Sequence, residues 1–360
     1  MVKEGKRSLK VKLLDTTLRD GSYATGFSFS RRDTALIAGA LDAAGFEFIE
    51  VGHGVGLNAS RMGKGLALHS DIEYVKSAVS AVKRARVGVF CVPGIAEVRH
   101  VEAAAAAGIS FIRVGTNATE VETSEAIIRR SKELGLFVFA NYMKSYTVSP
   151  DRFAEQARKS REYGADAIYV VDSAGGMFPR DIARYFRAVN GMKGGADVPL
   201  GFHGHDNLSM AVSNSLRAVE LGAAFVDVSL QGLGRSAGNA AAETLVACLV
   251  KRYGYDAIDL MAVIAASRRY VAPLHLGRAV APLDLIAGFS DFHSSYMRDI
   301  QRVSADHGID PLALILKYAK RKNVGMDVHA LEEDARALEA EGGHATDNYD
   351  FSRYHRHEQN

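Results

Sequence analysis

The chain has 360 residues, of which 48% are apolar and 24% charged, a composition typical of a globular protein rather than a disordered or fibrous one. Its 44 basic and 42 acidic side chains leave a net charge of +2, so no basic field indicates a nucleic-acid or membrane-surface partner. No apolar run reaches the roughly 18 residues of a membrane span, and residues 1–7 lack the apolar segment of a signal peptide. Two cysteines, Cys91 and Cys248, do not make a disulfide framework, so we expect a cytoplasmic protein.

Apolar runs alternate with helical patterns through most of the chain. Runs rich in Val, Ile and Phe predict eight strands, near 11–15, 46–51, 86–92, 109–114, 136–141, 167–172, 198–203 and 224–229. Each strand precedes a predicted helix, and these helices lie near 31–44, from 71, and near 95–107, 122–134, 150–163, 179–190, 208–221 and 239–253. Helix signals include Ser30 with Asp33 at one start, Gly45 at that helix's end and Ser149-Pro150 at another start.

Eight βα units of this size predict an α/β fold, a TIM (β/α)8 barrel with a C-terminal helical domain. A doubly wound open sheet is the alternative, but such sheets usually have fewer strands. After Gly254 the strand rhythm stops, and four further stretches have helical patterns: 256–269, 282–308, 310–321 and 327–340. We therefore predict a barrel over 1–262, a helical domain over 263–340 and a disordered tail over 341–360.

A candidate metal site lies at the end of the seventh predicted strand. His203 and His205 are two residues apart, so a strand would point both imidazoles to one face. The first strand ends near Arg19-Asp20, and the carboxyl ends of barrel strands surround the active site. Two histidines and one carboxylate leave coordination positions open and suit Mn²⁺, Co²⁺, Fe²⁺ or Zn²⁺. The alternative is that both histidines are buried partners of backbone carbonyls.

Two other polar features have open interpretations. Arg19 could stabilise negative charge on a substrate oxygen, or form a simple ion pair with Asp20. The glycine-rich segment from Gly232 to Asn239 precedes a predicted helix and could cradle a phosphate or carboxylate. A tight turn explains the same glycines equally well.

Three motifs together resemble a known family. They are Thr17-Leu18-Arg19-Asp20-Gly21-Ser22, His203-x-His205 and Gly232-x-Gly234-x-x-x-Gly238-Asn239. In combination they resemble the DRE-TIM metallolyase superfamily, which also includes isopropylmalate and homocitrate synthases. Asn207 follows His205 by two residues, which is similar to the 4-hydroxy-2-oxovalerate aldolase family rather than to the synthases.

The resemblance implies cleavage of a 4-hydroxy-2-oxo acid into pyruvate and an aldehyde, or the reverse condensation. The implied metal ligands are Asp20, His203 and His205. The implied ion is Mn²⁺, with Co²⁺, Mg²⁺ and Zn²⁺ as alternatives, and Arg19 would steady the enolate oxygen. The implied substrate contacts are Ser173, Asn207 and Asn239. No Schiff-base lysine is needed, although Lys144 follows the fifth predicted strand.

One departure from the family concerns proton transfer. The family aldolases have a histidine base where this chain has Tyr23, and a tyrosine in the C-terminal domain where this chain has His293. We therefore expect the two residues to face one another over the substrate hydroxyl, with His293 as the catalytic base. The alternative is that the aldol base is lost and the enzyme catalyses a different reaction. The reference pKa values of His, about 6.5, and Tyr, about 10, favour His293 near neutral pH.

Two further functions stay open. One is a Claisen-type synthase or lyase that acts on an acyl-CoA and a 2-oxo acid, with the same metal set. The other is a non-catalytic barrel that serves an aldehyde dehydrogenase. The resemblance implies a small-molecule 2-oxo acid and an aldehyde as partners, an acylating aldehyde dehydrogenase as a protein partner, and a homo- or hetero-oligomer.

Overall fold

The structure is a computed structural model that describes residues 9–192, 198–274, 281–321, 323–342 and 349–355. Eight parallel strands close into a barrel in sequence order, so the predicted TIM barrel is confirmed and the open sheet is excluded. The strands are β1 Lys12–Leu18, β2 Phe48–Val51, β3 Arg86–Cys91, β4 Phe111–Asn117, β5 Phe137–Met143, β6 Ala167–Asp172, β7 Leu200–Gly204 and β8 Phe225–Val228. The expectation about a signal peptide concerns residues 1–7, which lie outside the described residues.

Helices surround the barrel and continue beyond it. Eight follow the strands: α1 Arg31–Ala44, α2 Asp71–Ala81, α3 Val98–Ala106, α4 Glu125–Glu133, α5 Pro150–Tyr163, α6 Pro179–Gly191, α7 Ala211–Glu220 and α8 Ala242–Tyr253. The remainder are α9 Leu260–Ala266, α10 Pro282–Phe289, α11 Met297–His307, α12 Pro311–Ala319, α13 Val328–Ala340 and α14 Ser352–His355. Within the described part of the chain, none of the helices has the length and apolar character needed to cross a bilayer.

Sequence signals explain where α1 begins and ends. The Ser30 hydroxyl accepts a hydrogen bond from the Asp33 backbone N–H, and the Asp33 carboxylate accepts one from the Ser30 N–H, which completes the expected capping box. Gly45 ends the helix with φ 105°, and a Cβ there would lie 2.4 Å from the Ala257 carbonyl oxygen. Only glycine satisfies both conditions, so the end of α1 is fixed by the backbone conformation of Gly45 and by its contact with Ala257.

The barrel interior has an apolar base and a charged layer above it. Aromatic rings fill the base, and they include Phe48, Phe111, Phe139, Tyr169 and Phe225. Above them the fully buried Arg113 forms ion pairs with Asp227 at 2.6 Å and Glu50 at 3.2 Å. These pairs compensate the charge of a side chain that no water reaches. Polar groups therefore begin at the level where the strands end.

A second apolar core lies in the C-terminal helices. It joins residues of α10 to α13 with Phe351 and Tyr354. Residues 349–355 therefore do not follow the expectation of a disordered tail. Residues 343–348 and 356–360 lie outside the described residues. The two aromatic side chains explain the difference, because they bury apolar area against these helices. The barrel core extends to Val271 through α9, past the predicted boundary at 262. The division into two domains stays a prediction.

The C-terminal helices lie over the carboxyl ends of the strands. The Asn207 side-chain amide donates to the Asp284 carbonyl at 3.0 Å, and the Lys144 Nζ donates to the Tyr296 hydroxyl at 2.5 Å. A Cβ on Gly288 would lie 2.7 Å from the Cβ of Asn207, which shows how closely α10 approaches the loop after β7. The site at the strand ends is therefore covered by the second core.

Candidate active site and metal centre

Three buried ligand-type side chains meet at the strand ends. Asp20 lies in the turn after β1, His203 lies within β7 and His205 follows it. One ligand atom from each lies within 4.8 Å of the others, and the side chains are almost inaccessible to solvent. The structure thus brings together the three residues that the sequence predicted as metal ligands.

The surroundings orient these side chains for a cation. His203 Nδ1 lies 2.8 Å from Asp227, and His205 Nδ1 lies 3.2 Å from the Gly238 carbonyl oxygen. Each imidazole donates its Nδ1–H there, which leaves the Nε2 lone pair toward the cluster. Asp20 accepts from the Arg19 guanidinium at 2.7 Å, which fixes the rotation of its carboxylate.

The protonation states agree with a metal site. Burial raises the pKa of Asp20, but the charge of the adjacent Arg19, with that of Arg235, holds it well below its usual range. Burial and the charge of Arg235 hold the pKa of His205 well below its usual value. An ionised carboxylate and a neutral imidazole are the forms that bind divalent cations, so the donor set fits the implied metal.

Arg235 is a functional side chain that the sequence analysis did not single out. It lies in the glycine-rich segment, and its Nη2 is 3.2 Å from His205 Nε2. The same guanidinium donates to the Ser173 carbonyl at 3.2 Å and to the Ser294 hydroxyl at 2.5 Å. Arg235 donates to the Nε2 lone pair of His205 that a metal ion would use. Metal binding at His205 therefore requires that this hydrogen bond break. As the one basic residue among those glycines, it was a visible signal.

One cavity of about 300 Å³ contains most of the predicted site. Its lining includes seven of the nine predicted site residues, namely Arg19, Asp20, Tyr23, Ser173, His203, His205 and His293. Arg19 is held by Glu50 at 2.7 Å and lies over the Phe90 ring at 4.7 Å. Residues from the barrel and from the second core therefore form a single site.

Asn207 and Asn239 do not support the predicted substrate contacts. The Asn207 amide donates to the Ser236 hydroxyl at 2.8 Å as well as to α10, so it links the barrel to the second core. The Asn239 amide donates to the Asp20 carboxylate at 2.7 Å, so it positions a proposed ligand. Both side chains are buried, and neither belongs to the lining of the cavity. Their positions in the sequence predicted that both residues lie near the site, but not where their side chains point.

Comparisons with solved structures agree on the fold. The N-terminal domain of a putative aldolase from Bacteroides vulgatus matches with a TM-score of 0.70 at 22% identity, over 82% of this chain and 98% of that one. The carboxyl transferase domain Y628A of Rhizobium etli pyruvate carboxylase, solved with pyruvate, matches with a TM-score of 0.72 at 18% identity, over 94% of this chain and 61% of that one. At these identities the likeness concerns the fold alone.

Comparisons of sequence identify the family. The HMGL-like family matches residues 10–269. The chain is 39% identical to 4-hydroxy-2-oxovalerate aldolase 2 of Nocardia farcinica over 88% of this chain and 90% of that protein. It is 37% identical to 4-hydroxy-2-oxovalerate aldolase of Carboxydothermus hydrogenoformans over 88% of this chain and 94% of that protein. The chain therefore belongs to the HMGL-like family, within its 4-hydroxy-2-oxovalerate aldolase branch.

Proposed function

We propose that this protein is a divalent-metal-dependent aldolase that cleaves a 4-hydroxy-2-oxo acid into pyruvate and an aldehyde, or joins the two. The observation that carries the proposal is the meeting of Asp20, His203 and His205 with Arg19 in one cavity. Mn²⁺ is the proposed ion, with Co²⁺, Mg²⁺ and Zn²⁺ as alternatives, because the ligands are imidazole and carboxylate without thiolate. Once bound, the ion supplies Lewis acidity toward the oxygens of the 2-oxo acid.

The residues of the chain have separate roles in the cleavage. The bond between carbons 3 and 4 breaks, its electron pair forms the carbon 2–carbon 3 double bond as the carbonyl pair moves to the oxygen on carbon 2, and the carbon-4 hydroxyl gives its proton to His293, the proposed base. Arg19, held in place by Glu50, stabilises the charge that develops on the enolate oxygen. Ser173, together with the neighbouring Arg235, binds the substrate carboxylate. Protonation of the enolate at carbon 3 then gives pyruvate.

Pyruvate release tests this function directly. Protein freed of metal with a chelator is given Mn²⁺ and 4-hydroxy-2-oxopentanoate, and pyruvate is followed with a coupled dehydrogenase. We expect Mn²⁺-dependent pyruvate formation that His203→Ala lowers by at least about 100-fold. His329→Ala is the matched control, because that imidazole is exposed on α13. Acetyl-CoA consumption without pyruvate release, measured by mass spectrometry, would instead support the Claisen-type reaction.

The proposal extends to the cellular setting. An acylating aldehyde dehydrogenase that consumes the aldehyde is the proposed protein partner, within a homo- or hetero-oligomer. A cytoplasmic location is supported by the free thiols of Cys91, which is buried, and Cys248. Co-purification of an acylating aldehyde dehydrogenase activity with the protein from cell extract tests the partner.

A further inference from the structure

Two buried cations in the cavity have no carboxylate partner within the described part of the chain. Lys144 and Arg235 are 9% and 8% exposed. The Lys144 Nζ donates to the Tyr296 hydroxyl and, at 2.9 Å, to the Val324 carbonyl, both of which are neutral. Among the described residues, no acidic oxygen lies within the 4.0 Å of an ion pair with either side chain. An uncompensated buried charge is costly, so the arrangement favours an anionic ligand.

The charges that line the cavity also favour an anionic ligand. Its described lining contains four basic side chains, Arg19, Lys64, Lys144 and Arg235, but Asp20 is its only carboxylate. Arg19 is already compensated by Asp20 and Glu50 at 2.7 Å each. A 4-hydroxy-2-oxo acid with an uncharged aldehyde half brings one carboxylate, and Arg235 beside Ser173 suffices to bind it. The charge of Lys144 then has no counterpart.

Lys144 is placed to reach the other end of the substrate. It directly follows β5 with a left-handed backbone, φ 55°, and its Nζ contacts the second core. It lines the cavity together with His293 and Tyr296, which belong to that core. Burial and the charge of Arg235 lower the pKa of Lys144 to about 8, so the ammonium is still mostly charged at neutral pH. An adjoining chamber contains the acidic Asp291, so the anion belongs on the side of the main cavity.

We propose that the aldehyde half of the substrate carries a carboxylate or phosphate group that Lys144 binds, so that the enzyme acts on a dianionic 4-hydroxy-2-oxo acid. This inference rests on the proposed aldolase function. The cleavage needs no oxidant or reductant, because the bond between carbons 3 and 4 breaks, pyruvate leaves with one carboxylate, and the aldehyde keeps the second anion. Lys144 orients the aldehyde half and takes no part in bond breaking.

Matched pairs of aldehydes test the inference in the condensation direction. The Mn²⁺-loaded protein is given pyruvate with succinic semialdehyde or butanal, and with glyceraldehyde 3-phosphate or glyceraldehyde. We expect kcat/KM to favour one anionic member by about 10- to 100-fold over its neutral partner, as for a charge-assisted hydrogen bond. The pair that shows the preference identifies the anion as carboxylate or phosphate. Titration calorimetry with 2-oxoglutarate and 2-oxopentanoate tests the same preference without turnover.

Variants assign the preference to one side chain. Lys144→Gln should reduce the anionic preference by about 10-fold or more, whereas Lys76→Gln on the exposed face of α2 should retain it. A preference that survives Lys144→Gln would overturn the role of Lys144. Equal rates for anionic and neutral aldehydes in the unaltered protein would overturn the inference while the aldolase function stands. Failure of every aldehyde to react with pyruvate would overturn the proposed function itself.

Discussion

His293 is held in one neutral tautomer by its own chain. Its Nδ1 accepts a hydrogen bond from the Ser295 backbone N–H at 3.2 Å, so the neutral ring carries its proton on Nε2. Burial and the charges of Arg235 and Lys144 hold the pKa of His293 well below its usual value. An Nε2–H can donate to the aldehyde oxygen as carbon–carbon bond formation begins. In this state His293 is a hydrogen-bond donor to the aldehyde oxygen, whereas the base role in cleavage requires the tautomer with the proton on Nδ1 and the lone pair on Nε2.

Substitution separates the roles of His293 and Tyr23. We expect His293→Ala to lower kcat by about 100- to 10,000-fold, the usual contribution of a positioned acid or base. Tyr23→Phe keeps the ring that packs on Gly54 and should lower kcat by less than about 10-fold. Steady-state kinetics with pyruvate release would measure both. Full turnover in His293→Ala together with loss in Tyr23→Phe would show that the exchange of roles is wrong.

The sequence predicted which side chains form the site better than it predicted the residues that hold them in place. His203 and His205 could be predicted because strand geometry alone points them to one face. The 2.8 Å contact between Asp227 and His203 joins neighbouring strands, and the 2.6 Å pair between Arg113 and Asp227 crosses the barrel. Such contacts depend on strand register, which no local pattern specifies. The directions of Asn207 and Asn239 were missed for the same reason.

At the level of elements, one histidine joins α11 to α13. The ring of His307 at the end of α11 lies between two carboxylates of α13, 3.0 Å from Glu332 and 2.9 Å from Glu339. These hydrogen bonds raise the pKa of His307 above its usual value. Arg302 also contacts Glu332, so the contact is a small charge network rather than a single pair.

The stability of this contact depends on pH. Because folding raises the pKa of His307, its contribution is complete below the unfolded pKa of about 6.5 and is lost as pH rises through the folded value. We therefore expect His307→Gln to lower the urea midpoint at about pH 6 and to have less effect at about pH 8.5. His329→Gln, on the exposed face of α13, is the control and should show no such difference. An effect of His307→Gln that is equal at both pH values would contradict the linkage.

Helix bounds were well predicted where capping signals were strong. The predicted ranges of α1 and α5 agree with the structure, because Ser30 and Ser149 cap their first turns and Gly45 and Gly164 end them with positive φ. The α3 prediction began three residues too early, since its first turn has no Ser, Thr, Asp or Asn cap. Local chemistry thus determined how closely each helix could be predicted.

At the scale of the whole molecule, a bound ion would connect parts of the barrel that are far apart in the sequence. Its proposed ligands follow β1 and belong to β7, so unfolding would separate them. We expect Mn²⁺ at about 1,000 times its Kd to stabilise the folded state by about 4 kcal/mol. Calorimetry should show a higher Tm with Mn²⁺ than with a chelator, and Asp20→Asn should remove most of the difference. An equal shift in Asp20→Asn would indicate binding elsewhere.

The alternation of apolar runs and helical patterns was enough to predict the barrel, but not the position of the second core on it. Eight apolar runs separated by helices predict a closed barrel because each unit repeats the same local pattern. The position of the second core depends on contacts such as those of Asp284 with Asn207 and Ser236, which are spread over long sequence separations. Hence the contacts that hold the second core over the strand ends appear only in the structure.

The two cores contribute unequally to the site, and this has an evolutionary consequence. All three proposed metal ligands belong to the barrel, whereas His293, Ser294 and Tyr296 come from the segment after α10. Drift in that short segment can alter which aldehyde is accepted while the bond-breaking centre stays under separate constraint. As long as His293 is retained, descendants of one ancestral barrel could thus diversify in acceptor preference while the metal centre stays intact.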